Sequence, residues 1–121
     1  MANPSDYPAS AAGTEVLRRA YEVSLNNAAE VVLAGEAKHI YTILSIIFHN
    51  KHVSTACNIG LQISAEATTA ILLMDDQPLP GDGTFVFSDK IVIVGTDELI
   101  ARNATAENVD VYISYIDQEF A

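Results

Sequence analysis

Residues 108–115 alternate without a break. Val109, Val111, Ile113 and Tyr115 fall on one side, and Asn108, Asp110, Tyr112 and Ser114 on the other. A period of two sends successive side chains to opposite faces of a pleated strand, and a helix cannot sort residues this way. Residues 89–120 therefore predict three short strands, separated by a turn at Gly95-Thr96-Asp97-Glu98 and another over residues 103–108. Residues 53–64 show the same rhythm, with Val53, Thr55, Cys57, Ile59, Leu61 and Ile63 on one side. Ile71 and Leu73 open a further strand, closed by residues 75–83, where Asp, Pro and Gly cluster as chain breakers. Phe85, Phe87, Ile91 and Ile93 carry the pattern onward.

Residues 38–50 are apolar on both sides of a strand. Ile40, Leu44, Ile46 and Phe48 lie on one, and Tyr41, Ile43 and Ile47 on the other. β-Branched and aromatic enrichment favours a strand covered on both faces over a helix. A strand in a two-sheet sandwich normally leaves one face to water. Tyr41, Ile43 and Ile47, with Tyr112, are therefore the expected interface residues, covered by residues 14–25 of the same chain or by a neighbouring subunit. Residues 14–25 fit a helix through Val16, Leu17, Ala20 and Tyr21, or a strand through Leu17, Arg19, Tyr21, Val23 and Leu25. Residues 28–33 alternate up to a turn at Gly35-Glu36, and the polar residues 49–52 predict a hairpin turn. Seven or eight short strands at intervals of about 8–12 residues, with no βαβ unit, predict an all-β protein. The expected architecture is an antiparallel β-sandwich, jelly-roll or immunoglobulin-like, over residues 14–121, preceded by a flexible arm at residues 1–13.

Composition sharpens the interface question. Half of the 121 residues are apolar and 18% are charged. One domain of this size buries about 65% of its unfolded surface, enough for a core without staples. The apolar surplus points to covered inner faces, a subunit interface, or both. Sixteen acidic residues against six basic ones give a net charge of −10. Such a surface repels phosphate backbones and anionic lipid, so neither nucleic acid nor membrane is an expected partner. Cys57 is the only cysteine and sits on an apolar strand face. It is expected to be a buried thiol, and no intrachain disulfide can form. No basic segment followed by an apolar one marks a secretory signal, and the apolar run at residues 40–48 is too short to cross a bilayer.

Little in the chain carries chemistry. His39, His49 and His52 with Cys57 would be a metal set only if a hairpin brought His49 and His52 together, and their spacing matches no zinc motif. Asp75, Asp76 and Asp82 offer oxygen ligands for calcium but lack the ligand cadence of a calcium loop, and Asp at chain reversals accounts for them. No Gly-x-Ser-x-Gly elbow and no phosphate loop occur. A sugar platform on Tyr112 and Tyr115 is weakened by the absence of tryptophan. Asn103-Ala104-Thr105 is a sequon that means nothing without a secretory route. No catalytic residue, metal or cofactor is expected.

The order of these pieces resembles small tailed-bacteriophage virion proteins built on a jelly-roll or immunoglobulin-like sandwich. The likeness runs through residues 40–50, residues 53–64, Leu79-Pro80-Gly81, Gly95-Thr96-Asp97 and Ser114-Tyr115-Ile116-Asp117. It is a pattern of strands and turns with no active site to carry over, and the tail departs from it in having Asp117 followed by Glu119. The resemblance implies a non-enzymatic structural role on the virion, made in the host cytoplasm. A head decoration or cement subunit is the first expectation, and a neck, collar or tail accessory protein the second. Its implied partners are further copies of itself, as a trimer, and the major capsid or neck and tail proteins. A carbohydrate- or calcium-assisted binding module using residues 75–83 is the alternative of another class.

Overall fold

The structure, a computed structural model, describes residues 14–25, 29–66, 68–104 and 108–120. The arm expected over residues 1–13 lies outside these. Nine strands form among the described residues: β1 (Thr14–Leu25), β2 (Glu30–Ala34), β3 (His39–Asn50), β4 (Cys57–Ala65), β5 (Thr69–Leu79), β6 (Thr84–Phe87), β7 (Ile91–Val94), β8 (Glu98–Asn103) and β9 (Val109–Glu119). They make two antiparallel sheets. One runs β1-β9-β3, with β6 and β7 both on the far edge of β3; the other runs β2-β8-β4-β5. Because β6 and β7 pair with successive halves of β3, they fill a single position. The nine strands thus occupy eight places, in the four-over-four order of a jelly roll. Residues 14–25, ambiguous in sequence, are a strand.

β3 explains the doubly apolar stretch. Its register against β9 shifts between Ile43 and Ser45, leaving Leu44 as an inserted residue. A bulge of this kind reverses which residues point inward beyond it. Tyr41 and Ile43 face the core before the bulge, and Ile46, Phe48 and Asn50 face it after. Ile43, Ile46 and Phe48 are all 0% exposed. The expected interface face of Tyr41, Ile43 and Ile47 therefore does not exist as one surface: the first two are core residues, and Ile47 alone looks out. They meet Ile91 and Ile93 of β7, Phe85 and Phe87 of β6, and the inward row Val109, Val111, Ile113 and Tyr115 of β9. The second sheet supplies Cys57, Ile59, Leu61, Leu79, Leu99 and Ala101.

The connections differ from the expected hairpins. Among the described residues, β4 and β5 are the only strands adjacent in the chain that pair with each other. Residues 51–56 cross from one sheet to the other, so the strand expected from Val53 begins at Cys57 and Val53 is 79% exposed. Buried Asn50 holds this crossing: its amide donates to the Thr55 carbonyl at 2.8 Å and its Oδ1 accepts from the His52 amide at 3.0 Å. The turn at residues 95–97 likewise carries the chain between sheets. Asp97 accepts there from the amides of Val94 and Glu66, and Gly35 packs so closely that a Cβ would lie 2.5 Å from the Gly95 carbonyl oxygen. β5 extends through Pro78, tolerated because β5 is an edge strand.

The parity reversal in β3 has a direct consequence. Ile43→Asp places a charge in the core and should destabilise the protein by at least about 3 kcal/mol. Ile47→Asp, four residues on, should cost no more than about 1–2 kcal/mol. Thermal melts of the two variants check this, and equal losses would mean that the strand runs without a bulge. Cys57, 5% exposed, should react with a thiol reagent only on unfolding; labelling in native buffer would place it at the surface.

Candidate docking face

The outward side of the five-stranded sheet is the feature that chain chemistry leaves most conspicuous. β1 contributes Leu17, Tyr21 and Val23, which are 64%, 60% and 60% exposed. The register sets Leu17 beside Ile116, Arg19 beside Ser114 and Tyr21 beside Tyr112. On the other side of β9, Tyr112 is beside Ile47, and Ile47 is beside Val86 of β6. Val92 and Val94 of β7 continue the same side next to Thr42 and Ile40. Large apolar side chains thus run across every strand of the sheet. The bulge adds to them: Leu44, the inserted residue, is turned outward and exposed. The outward side of the other sheet is mixed: its two central strands present Asn58, Gln62, Ser64, Glu98 and Arg102 around Ile100, with Val31 and Leu72 exposed on the flanking strands.

Two shallow depressions shape this face. One, of about 310 Å³, lies between Tyr21, Val23, Ile47 and Tyr112, with Asp110 and His49 at its polar end. The other, of about 560 Å³, lies between Leu17, Leu44, Ser45 and Ser114 and shares Arg19 and Tyr112 with the first. Tyr112 is the wall between them. Of the four residues expected at an interface, the structure brings Ile47 and Tyr112 together on this face and places Tyr41 and Ile43 beneath it. Leu17, Tyr21 and Val23 had a readable alternation but no signal that β1 would lie at the sheet edge.

At the end of the face, β1, β9 and β3 are tied by one buried carboxylate. Asp117 Oδ2 accepts from Arg18 Nε at 2.8 Å, and its Oδ1 accepts from His39 Nδ1 at 2.6 Å. Tyr41 donates to Glu36 at 3.1 Å, and burial above all pushes its hydroxyl pKa up to about 12. Tyr41 also packs on Tyr115 and meets the His39 ring edge-on. The arrangement holds charge in place across three strands.

The other candidates stay apart. His49 lies against Thr84 and Asp82, while the His52 ring accepts from the backbone amides of Ser54 and Thr55. Asp75 pairs with Arg102 at 3.1 Å. Among the described residues no three metal-ligating side chains converge. Asn103 of the sequon is fully buried.

The His39–Asp117 bond has a pH signature. It is the main cause raising the imidazole above its usual 6.5, with Glu36 and Glu119 adding to it. A raised native pKa stabilises the fold fully below the unfolded value, and the contribution is lost as pH rises through the native value. Wild type should therefore lose Tm relative to His39→Asn as pH rises above the ordinary value of 6.5. Parallel Tm profiles would show that the pair does not titrate in this range.

No protein-family model matches the chain, and no curated protein matches it. Solved structures do. A subunit of Bacillus endospore appendages, described as disulfide-linked pili, superposes with a TM-score of 0.50 at 13% identity, covering 90% of this chain and 91% of that one. The acid-stable capsid of a Helicobacter pylori bacteriophage matches at TM-score 0.49 and 12% identity over 87% of this chain and 91% of the other. A pentameric capsid protein from metagenomic phage sequences matches at 0.42 and 16%, over 87% and 61%. At 13% identity the likeness to the appendage subunit is one of fold: the two chains share a β-sandwich.

Proposed function

We propose that this protein is a non-enzymatic structural subunit of a virion, a decoration or cement protein that docks on a capsid shell and stabilises it. The observation that carries the reading is the outward face of the five-stranded sheet. A monomer rarely leaves contiguous apolar surface across a whole sheet, and such surface marks a docking site. Leu17, Tyr21, Val23, Leu44 and Tyr112 would supply the dry centre, with Tyr112 as the aromatic anchor between two depressions. Arg19, His49 and Asp110 at the margins would set orientation. The jelly-roll order agrees with the reading by analogy, since viral capsid domains use it. The tailed-phage resemblance in the strand and turn order agrees as well.

The partner on this reading is the major capsid protein, or a neck or tail protein, with further copies of this chain alongside. The place is the outside of the particle, and the arm at residues 1–13 assists incorporation. The net charge of −10 keeps the subunit off packaged nucleic acid.

Virions produced from the genome that encodes this chain supply the test. The protein should sediment with intact particles through a density gradient. Tyr112→Asp should be released at least about tenfold more readily while keeping its far-ultraviolet spectrum, because a charge in a dry interface centre is strongly disfavoured. Particles that lack the protein altogether, or that retain Tyr112→Asp at full occupancy, would overturn the reading.

A further inference from the structure

The edges of the two sheets are not alike. β2 is five residues long, and β6 and β7 are four each. β5 is longer, but it carries Pro78, two register shifts, and Asp76 at a positive φ of 52°. Short length, proline, bulges and charge are the usual devices that stop one sheet edge from pairing with another. β1 is neither short nor broken by proline, and its one register shift, with Ser24 at a positive φ of 55°, is confined to its end beyond Glu22. It is a 12-residue edge strand with no proline and no glycine, and among the described residues it pairs with β9 alone. Its register against β9 is regular as far as Glu22.

The central residues 17–23 of β1 are complementary to themselves when reversed. If Ala20 is set opposite Ala20 of a second antiparallel copy, Leu17 faces Val23, Arg18 faces Glu22 and Arg19 faces Tyr21. The apolar pair and the Arg19–Tyr21 pair fall on the outward side, and the ion pair falls on the other. Arg19 already stands 5.8 Å from the Tyr21 ring within one chain, so the second copy would repeat a cation–π contact the side chains can make. Sliding by one pair in either direction loses the match. One way sets Arg19 against Arg19, and the other sets Arg18 against Ser24 and Glu22 against Ala20. Glu22 also has reason to accept a cation: burial first, then the neighbouring Glu30, push its carboxyl above the usual range. Arg18 spends Nε on Asp117 and is half exposed, leaving its outer nitrogens for a further acceptor.

We propose that β1 is a two-fold pairing edge, along which two copies of this chain join antiparallel with Ala20 opposite Ala20 to make one continuous ten-stranded sheet. The occupant of the edge is a second copy, because the reversed strand sets Arg18 against Glu22 and Leu17 against Val23. Cross-strand pairs of this kind are the unit of sheet stabilisation, and a two-fold contact closes at two copies. The axis stands perpendicular to the sheet, so both outward faces point the same way. Leu17, Tyr21 and Val23 of each copy then meet at the centre of one doubled apolar face. The pairing deepens the docking reading and rests on it for its purpose. It replaces the trimer expected from sequence with a dimer as the closed unit in solution.

Sedimentation velocity of the full chain tests the pairing. Wild type should be a dimer. Leu17→Asp should weaken self-association by about tenfold or more without loss of fold, since Leu17 is mostly exposed. Adding Val23→Lys to Leu17→Asp should restore the dimer, because the introduced carboxylate and ammonium then face each other across the axis. Oxidised Ala20→Cys should give an intermolecular disulfide, and Arg19→Cys should not. A wild-type monomer or trimer, a dimer indifferent to Leu17→Asp, or a double variant that stays dissociated would overturn the pairing. A monomer that still sediments with particles refutes the pairing alone. A dimer absent from particles refutes the docking reading alone.

Discussion

Everything in the five-stranded sheet depends on one inserted residue in its central strand. β3 pairs on one side with β9 and on the other with β6 and β7, so the side on which its residues point is imposed on all three. Without the bulge at Leu44, either Tyr41 and Ile43 or Ile46 and Phe48 would face solvent. Leaving either pair in water would cost roughly 1.5–3 kcal/mol for each large apolar side chain. The bulge puts both halves inward. On the opposite edge, β7 pairs with β3 before the bulge, at Ile40–Ile43, and β6 pairs with it after, at Ile46–His49.

The same residue shapes the surface. Turning Leu44 outward places it beside Ser45 and close to Tyr112, where it forms part of the wall of the larger depression. The inner and outer faces of the sheet are thus linked: the insertion that completes the core also builds the outward apolar face. At the far end, Asp117 ties β1 to β3 through Arg18 and His39. Its carboxylate is a cross-strand clamp that holds the edge strand in line with the centre.

Much of this was legible in the sequence wherever a strand has one wet face. The alternation over residues 109–115 gave β9 and its inward row correctly, and residues 57–63 gave most of β4. Two things were not legible. Apolar alternation in β3 is indistinguishable from a strand covered on both sides, since a bulge leaves no mark in composition, and this made Tyr41 and Ile43 look like interface. Turn chemistry, moreover, records that the chain reverses but not whether it returns to the same sheet. Residues 49–52 therefore looked like a hairpin and residues 95–98 like a turn between consecutive strands, although each leads across the sandwich. Of the candidate site, Ile47 and Tyr112 could be read because each is apolar at an outward position. The Asp117 clamp could not, because it joins residues 78 and 99 positions apart.

The central claim is that the outward face of the five-stranded sheet is what this protein uses, and that its core serves to hold that face flat and apolar. A side-chain-resolution cryo-electron microscopy map of a particle carrying the protein tests it most directly. The account predicts Leu17, Tyr21, Leu44, Ile47 and Tyr112 buried against a protein surface, with the Asn58, Gln62 and Arg102 side of the other sheet toward solvent. A subunit seated by that second sheet, with Tyr112 facing water, would contradict it.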